Sequence, residues 1–240
     1  MQPDATHLMK QIDLTLPLVG LYDAPDPAPF APLVAPKEGR WACAYGFFQS
    51  WLDGKTLRLT KENFGCGGAG RALCGVETRA RGDFLDFLVG EEGLKASTEL
   101  MGKWIDDSPP YRQEHPNLLI GSLRPGEYGH LRTVTFFVNP DQLSALAIGA
   151  QFHAAPEDPP PVIAPFGSGC MQLIAAFRDL HAAQAVIGAT DLAMRVYLPP
   201  NILAFTVTKP MFERLCSLRE ESFLHKPFLT KLRKARGMLA

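Results

Sequence analysis

Residues 184–218, QAVIGATDLAMRVYLPPNILAFTVTKPMFERLCSL, decide the fold class. Ala185–Ile187 is a short apolar run that closes on the turn Gly188-Ala189-Thr190-Asp191. Ile202–Val207 is a second run, rich in β-branched and aromatic residues, as strands prefer. It leads through Thr208-Lys209-Pro210 into Met211–Leu218, whose apolar spacing is helical. The same rhythm stands upstream, where Val162–Phe166 precedes Gly167-Ser168-Gly169-Cys170 and a helix predicted over Met171–His181. Strands alternating with helical segments predict an α/β (or α+β) fold, a mixed sheet with covering helices, in one domain over residues 1–240.

Further out, Leu118–Leu123, Arg132–Val138, Leu16–Tyr22 and Thr56–Thr60 read as strands. Asn139-Pro140 opens a helix through Phe152, with proline suited to the first turn. Asp4–Leu14, Trp41–Leu52, Asp83–Val89 and Leu94–Trp104 carry helical spacing, and Phe223–Leu239 reads as a basic amphipathic tail helix. The proline-rich stretches Asp23–Gly39 and Pro156–Pro161 must be loops, because proline lacks the donor that helix and sheet ladders need. Gly65–Gly75 is a glycine-cysteine loop with room for one helical turn.

The chain has 240 residues, enough to bury a sizeable core. It has 24 Lys plus Arg against 25 Asp plus Glu, so no basic excess marks it for nucleic acid. No apolar run approaches a membrane span. The opening MQPDATHLMKQIDL lacks a basic start leading into an apolar core, so a cytoplasmic location is expected. Five cysteines in that compartment stay reduced, and are buried, metal-bound or reactive.

The cysteines are the distinctive chemistry. Cys66 lies in FGCGGAGRALCG, where Gly67 and Gly68 let the backbone approach a bound group closely and turn amides toward it. Cys74, eight residues on, has no recognised metal spacing and reads equally as core. Cys170 comes after Gly167 and Gly169 and opens the predicted helix, whose N-terminus would favour a thiolate, making Cys170 the candidate nucleophile. Cys43, in RWACAYGFF, and Cys216, in FERLCSL, read as core on local grounds.

Other patterns are weaker. Gly65, Gly67 and Gly70 spell G-x-G-x-x-G, but no strand runs directly into them and Gly75 interrupts the helix that the fingerprint requires. The six histidines have no ligand spacing. Asp191 and Arg195, four apart, read as a helix-face ion pair, or Arg195 as a clamp for an anion.

Taken together, VGLYD at 19–23, Cys43 among small residues, Cys66 with Leu73 and Gly75 after it, FFVNPDQ at 136–142, and Cys170 after its glycine turn resemble domain-of-unknown-function family 169 of archaea and bacteria. The stretch QAVIGATDLAMR…ILAFTVTKPMFERL resembles one subgroup. The resemblance implies that the positions of Cys43, Cys66 and Cys170 recur in relatives while Cys74 does not. It carries no established activity, but it promotes Cys43 from core to candidate ligand.

These residues are compatible with three functions. The leading one is a redox or accessory protein in which Cys43, Cys66, Cys170 and Cys74 ligate an iron–sulfur cluster, tuned by glycine amides. The second is a thiol enzyme with Cys170 as nucleophile. The third is a module binding a small anion through Gly67, Gly68, Gly167, Gly169 and Arg195. Expected partners are a small molecule or redox partner, or a second copy of the chain, and neither nucleic acid nor membrane.

Overall fold

The computed structural model describes residues 3–237. Eight strands form one mixed sheet. They are β1 (Val19–Ala24), β2 (Leu33–Val34), β3 (Thr56–Leu59), β4 (Asn117–Ser122), β5 (Leu131–Val138), β6 (Val162–Ile163), β7 (Ala185–Gly188) and β8 (Leu203–Thr208). The order across the sheet is β2-β3-β4-β1-β5-β8-β7-β6. The mixed α/β class read from the sequence is therefore observed.

Its centre is antiparallel, and only the edge pairs β2–β3 and β6–β7 are parallel. The reason lies in residues 189–202. Leu192–Tyr197 is a 3₁₀ turn rather than a crossover helix, so β8 folds back beside β7. A parallel β8 would need a crossover that packs on the sheet, usually an α-helix, and this loop forms none.

Both sheet faces are covered, which explains why β1 and β5 are almost continuously buried, polar residues included. Val134, Phe136 and Val138 point to one side and Phe137 to the other. On the first side lie α1 (Thr6–Gln11), α6 (Pro140–Gln151) and α7 (Lys209–Ser217). Asn139 caps α6 reciprocally with Gln142, and Pro140 starts it as predicted. On the second side lie α2 (Phe48–Leu52), α3 (Gly67–Ala69) and the 170–180 segment. Here Phe137 is enclosed by Tyr45, Phe48 and Trp51, with ring centroids 6.4, 4.8 and 5.9 Å away. Burying each such aromatic contributes about 2–3 kcal/mol, so this packing fixes the 43–52 segment on the sheet. Beside it, α4 (Arg81–Asp86) and α5 (Thr98–Asp106) pack on a small cluster around Met101 and Ile105.

Several predicted helices are shorter. Trp41–Leu52 holds a 3₁₀ turn, Ala44–Phe47, and then the single-turn α2. Cys43 precedes both in extended backbone, so it lies in a loop and not in a helix. Met171–His181 is a three-residue 3₁₀ turn, Met171–Leu173, succeeded by turns, and Cys170 has no α-helix behind it. The tail contains α8 (Pro227–Ala235), and residues 238–239 of the predicted tail helix lie outside the described residues. No helix among the described residues is long and apolar enough to cross a membrane.

Candidate functional site

Three loops on the second sheet face bring Cys43, Cys66 and Cys170 together. Each loop is held by specific contacts. Gly65 has φ +83°, and a Cβ there would collide with the Ala42 carbonyl oxygen, so only glycine lets the Cys66 loop approach the Cys43 segment this closely. Gly167 has φ +145°, and a side chain there would collide with Met171. Gly169 packs against the Tyr45 ring. Gln172, fully buried, donates through Nε2 to Pro165 O (3.2 Å) and Thr190 Oγ1 (2.6 Å). Thr133 Oγ1 on β5 donates to Leu173 O at 2.8 Å, tying the Cys170 loop to the sheet.

Cys66 and Cys170 are close enough to shift each other's protonation. The Cys66 sulfur accepts the Ala69 N–H at 3.4 Å, with the Gly68 amide beside it. Cys43 lies within electrostatic reach of both, and its sulfur faces the amides of Tyr45 and Gly46. Asp191 completes the group: its carboxylate accepts the Gly169 N–H at 3.2 Å and the Ala193 N–H at 3.0 Å, and its charge acts on all three sulfurs.

The environments differ in sign. Interaction with the neighbouring Cys170 thiol, reinforced by the amides, holds the Cys66 thiol below the ordinary value near 9. The same interaction, together with burial, holds Cys170 well above it. Burial pushes Cys43 up to about 11. The thiol held low is therefore Cys66, whereas Cys170, the expected nucleophile, is held high. That expectation rested on a helix dipole, which a three-residue turn does not supply.

Two further expectations are corrected. Cys74 is 2% exposed, its thiol raised to about 12 by burial, with Lys61 and Glu62 rather than the other cysteines as its charged neighbours. It is a core residue. Arg195 is engaged by the backbone: its guanidinium donates to the carbonyls of Ile202, Pro199 (3.2 Å) and Pro200 (2.9 Å), bracing the loop before β8. Asp191 is not its partner. Of the glycines, Gly68 offers its amide to Cys66, Gly167 and Gly169 serve close packing, and Gly67 has Thr78 Oγ1 where a Cβ would sit.

The spacing of donors limits the chemistry. Among the described residues, only Asp23, Glu114 and His115 place three donor atoms within 4.8 Å of one another. Asp23 is fully buried, and its oxygens are already filled by Tyr111 Oη, the Glu114 and His115 amides and the His115 ring. That group fixes the 111–115 loop. No ligand spacing marks it in the sequence, because the partners are 91 and 92 residues apart. The cysteine trio is wider than the roughly 3.8 Å between sulfurs that a tetrahedral ion with 2.3 Å bonds imposes.

Residues 7–217 match the DUF169 family, described as Uncharacterised ArCR. The chain belongs to that family. No curated protein and no solved structure matches it. Its DUF169 membership names relatives without naming a reaction, so the functional reading rests on the cysteine site.

A prediction arises from the site alone. In metal-free protein, a limiting alkylator is expected to label Cys66 first at neutral pH, read by peptide mass spectrometry. Cys170→Ala removes the neighbour that holds the Cys66 thiol low and is expected to shift the Cys66 labelling profile to higher pH. The linkage has a definite sign. The folded state gives up the Cys66 proton that the unfolded state still holds below pH 9, so this contribution is full above that value and is lost as pH falls through the depressed folded value. The thermal midpoint of Cys66→Ser is therefore expected to vary less with pH over the window below 9 than that of wild type.

Proposed function

We propose that Cys43, Cys66 and Cys170 ligate an iron–sulfur cluster that leaves one iron without a cysteine, and that the chain acts as a redox or accessory protein. The observation that supports this reading is that three separate loops place Cys43, Cys66 and Cys170 within electrostatic reach of one another, with backbone amides facing two of the sulfurs. Ligation would displace the protons that burial keeps on Cys43 and Cys170, and a bound cation would offset the negative charge then gathered beside Asp191. Amides directed at sulfur stabilise thiolate ligands and tune a cluster's potential. The open spacing suits donors on different irons better than donors on one ion. Asp191, whose charge acts on all three sulfurs, is the non-cysteine candidate for the remaining position.

The test is anaerobic reconstitution with iron and sulfide, then absorption spectroscopy. A brown chromophore bleached by dithionite is expected. A colourless, iron-free chain overturns the reading.

A second reading is favoured by the Cys66–Cys170 pair: thiol chemistry with Cys66 as the nucleophile and Cys170 as the hydrogen-bond donor. It expects one fast thiol and no requirement for iron. An anion module built on Arg195 loses its main residue to the backbone carbonyls.

A further inference from the structure

We infer that a cleft at the ends of β5 and β8 binds a small organic carboxylate. The cleft has a volume of about 420 Å³ and is lined by Tyr111, Glu114, Arg132, Lys209 and Glu213 over an apolar floor that includes Leu180. That volume falls within the range of small-molecule sites.

One wall is built from the inside out. Asp23 is a fully buried carboxylate, which is costly to keep unless its oxygens are filled. The donors that fill them all come from Tyr111, Glu114 and His115. Tyr111 Oη donates to Asp23 at 2.8 Å and accepts from Arg132 Nε at 3.2 Å. The buried carboxylate therefore aims the Arg132 guanidinium through Tyr111. Lys209 lies 4.1 Å over the Tyr128 ring and donates to Tyr128 O at 3.0 Å, while Tyr128 Oη donates to Glu213 at 2.8 Å. These contacts fix the opposite wall.

Arg132 already demonstrates the chemistry. Its Nη2 is paired with the carboxylate of Glu114, whose side chain is 67% exposed. The guanidinium fork takes a carboxylate through two parallel hydrogen bonds, so a ligand carboxylate replaces Glu114 with one of matching kind. The cleft carries two fixed cations, Arg132 and Lys209, against two acids, Glu114 and Glu213. That balance favours a carboxylate, with or without an amine, over a doubly charged phosphate.

Isothermal titration with succinate and with glutamate tests this, with inorganic phosphate as control. Saturable binding of at least one of the two is expected. Arg132→Gln weakens it more than tenfold. Glu114→Gln tightens it several-fold, because the internal carboxylate no longer competes for Arg132. Glu114 is exposed, so that variant reads the site without disturbing the core. The proposal is overturned if neither carboxylate binds, if phosphate binds as tightly, or if Glu114→Gln leaves affinity unchanged or weaker. Cysteine variants leave this binding unaltered, so its outcome is separate from that of the cluster.

Discussion

Cys66→Ser is expected to lose at least nine-tenths of the iron that the wild-type chain takes up on anaerobic reconstitution. Cys43→Ser and Cys170→Ser are expected to do the same, while Cys74→Ser and Cys216→Ser retain wild-type iron. The division comes from position. Cys43, Cys66 and Cys170 act electrostatically on one another, whereas Cys74 and Cys216 respond chiefly to burial, which raises both to about 12. Serine is close to cysteine in size, so the fold should survive. Metal analysis beside the circular dichroism spectrum of each variant separates lost ligation from lost structure. Equal iron loss in all five variants, or in none, would count against the assignment.

Phe137→Ala is expected to cost about 3–5 kcal/mol, lowering the thermal midpoint by roughly 6–20 °C. Phe137 is fully buried and touches the rings of Tyr45, Phe48 and Trp51. Removing it opens a cavity between β5 and the segment carrying Cys43. Iron retention should therefore fall together with stability. Phe137→Leu fills much of the same space and is expected to recover most of both. A thermal scan with metal analysis on the two variants reads the result. A midpoint for Phe137→Ala within about 2 °C of wild type would show that this packing does not hold the site.

The mixed sheet is legible in the sequence because its strands are short apolar runs bounded by glycine, proline and polar turns. Strand direction is not. Residues 189–202 have the length of a crossover, yet Pro199 and Pro200 and the 3₁₀ turn before them return the chain antiparallel. Helix length is misleading in two places for one reason: the apolar spacing at 41–52 and 171–181 marks residues packed on the sheet, not a continuous helix. In both places the difference changes the surroundings of a cysteine.

At the site, Cys66 is legible from its glycines, and Cys43 only through its family. The Cys66–Cys170 interaction joins residues 104 positions apart in loops of irregular backbone, so no local pattern encodes it. Asp191 and Arg195 would pair on a helix face, and the absence of that helix removes the pairing. The buried Asp23 network leaves no local signal, because Asp23 stands near the end of a strand, where a carboxylate looks like the start of a loop.

The most direct measurement is the iron and acid-labile sulfide content of the wild-type chain after anaerobic reconstitution and desalting. The cluster assignment predicts roughly four irons and four sulfides per chain, with slightly fewer irons where the open position is lost. A chain that returns neither iron nor sulfide, or iron without sulfide, contradicts it.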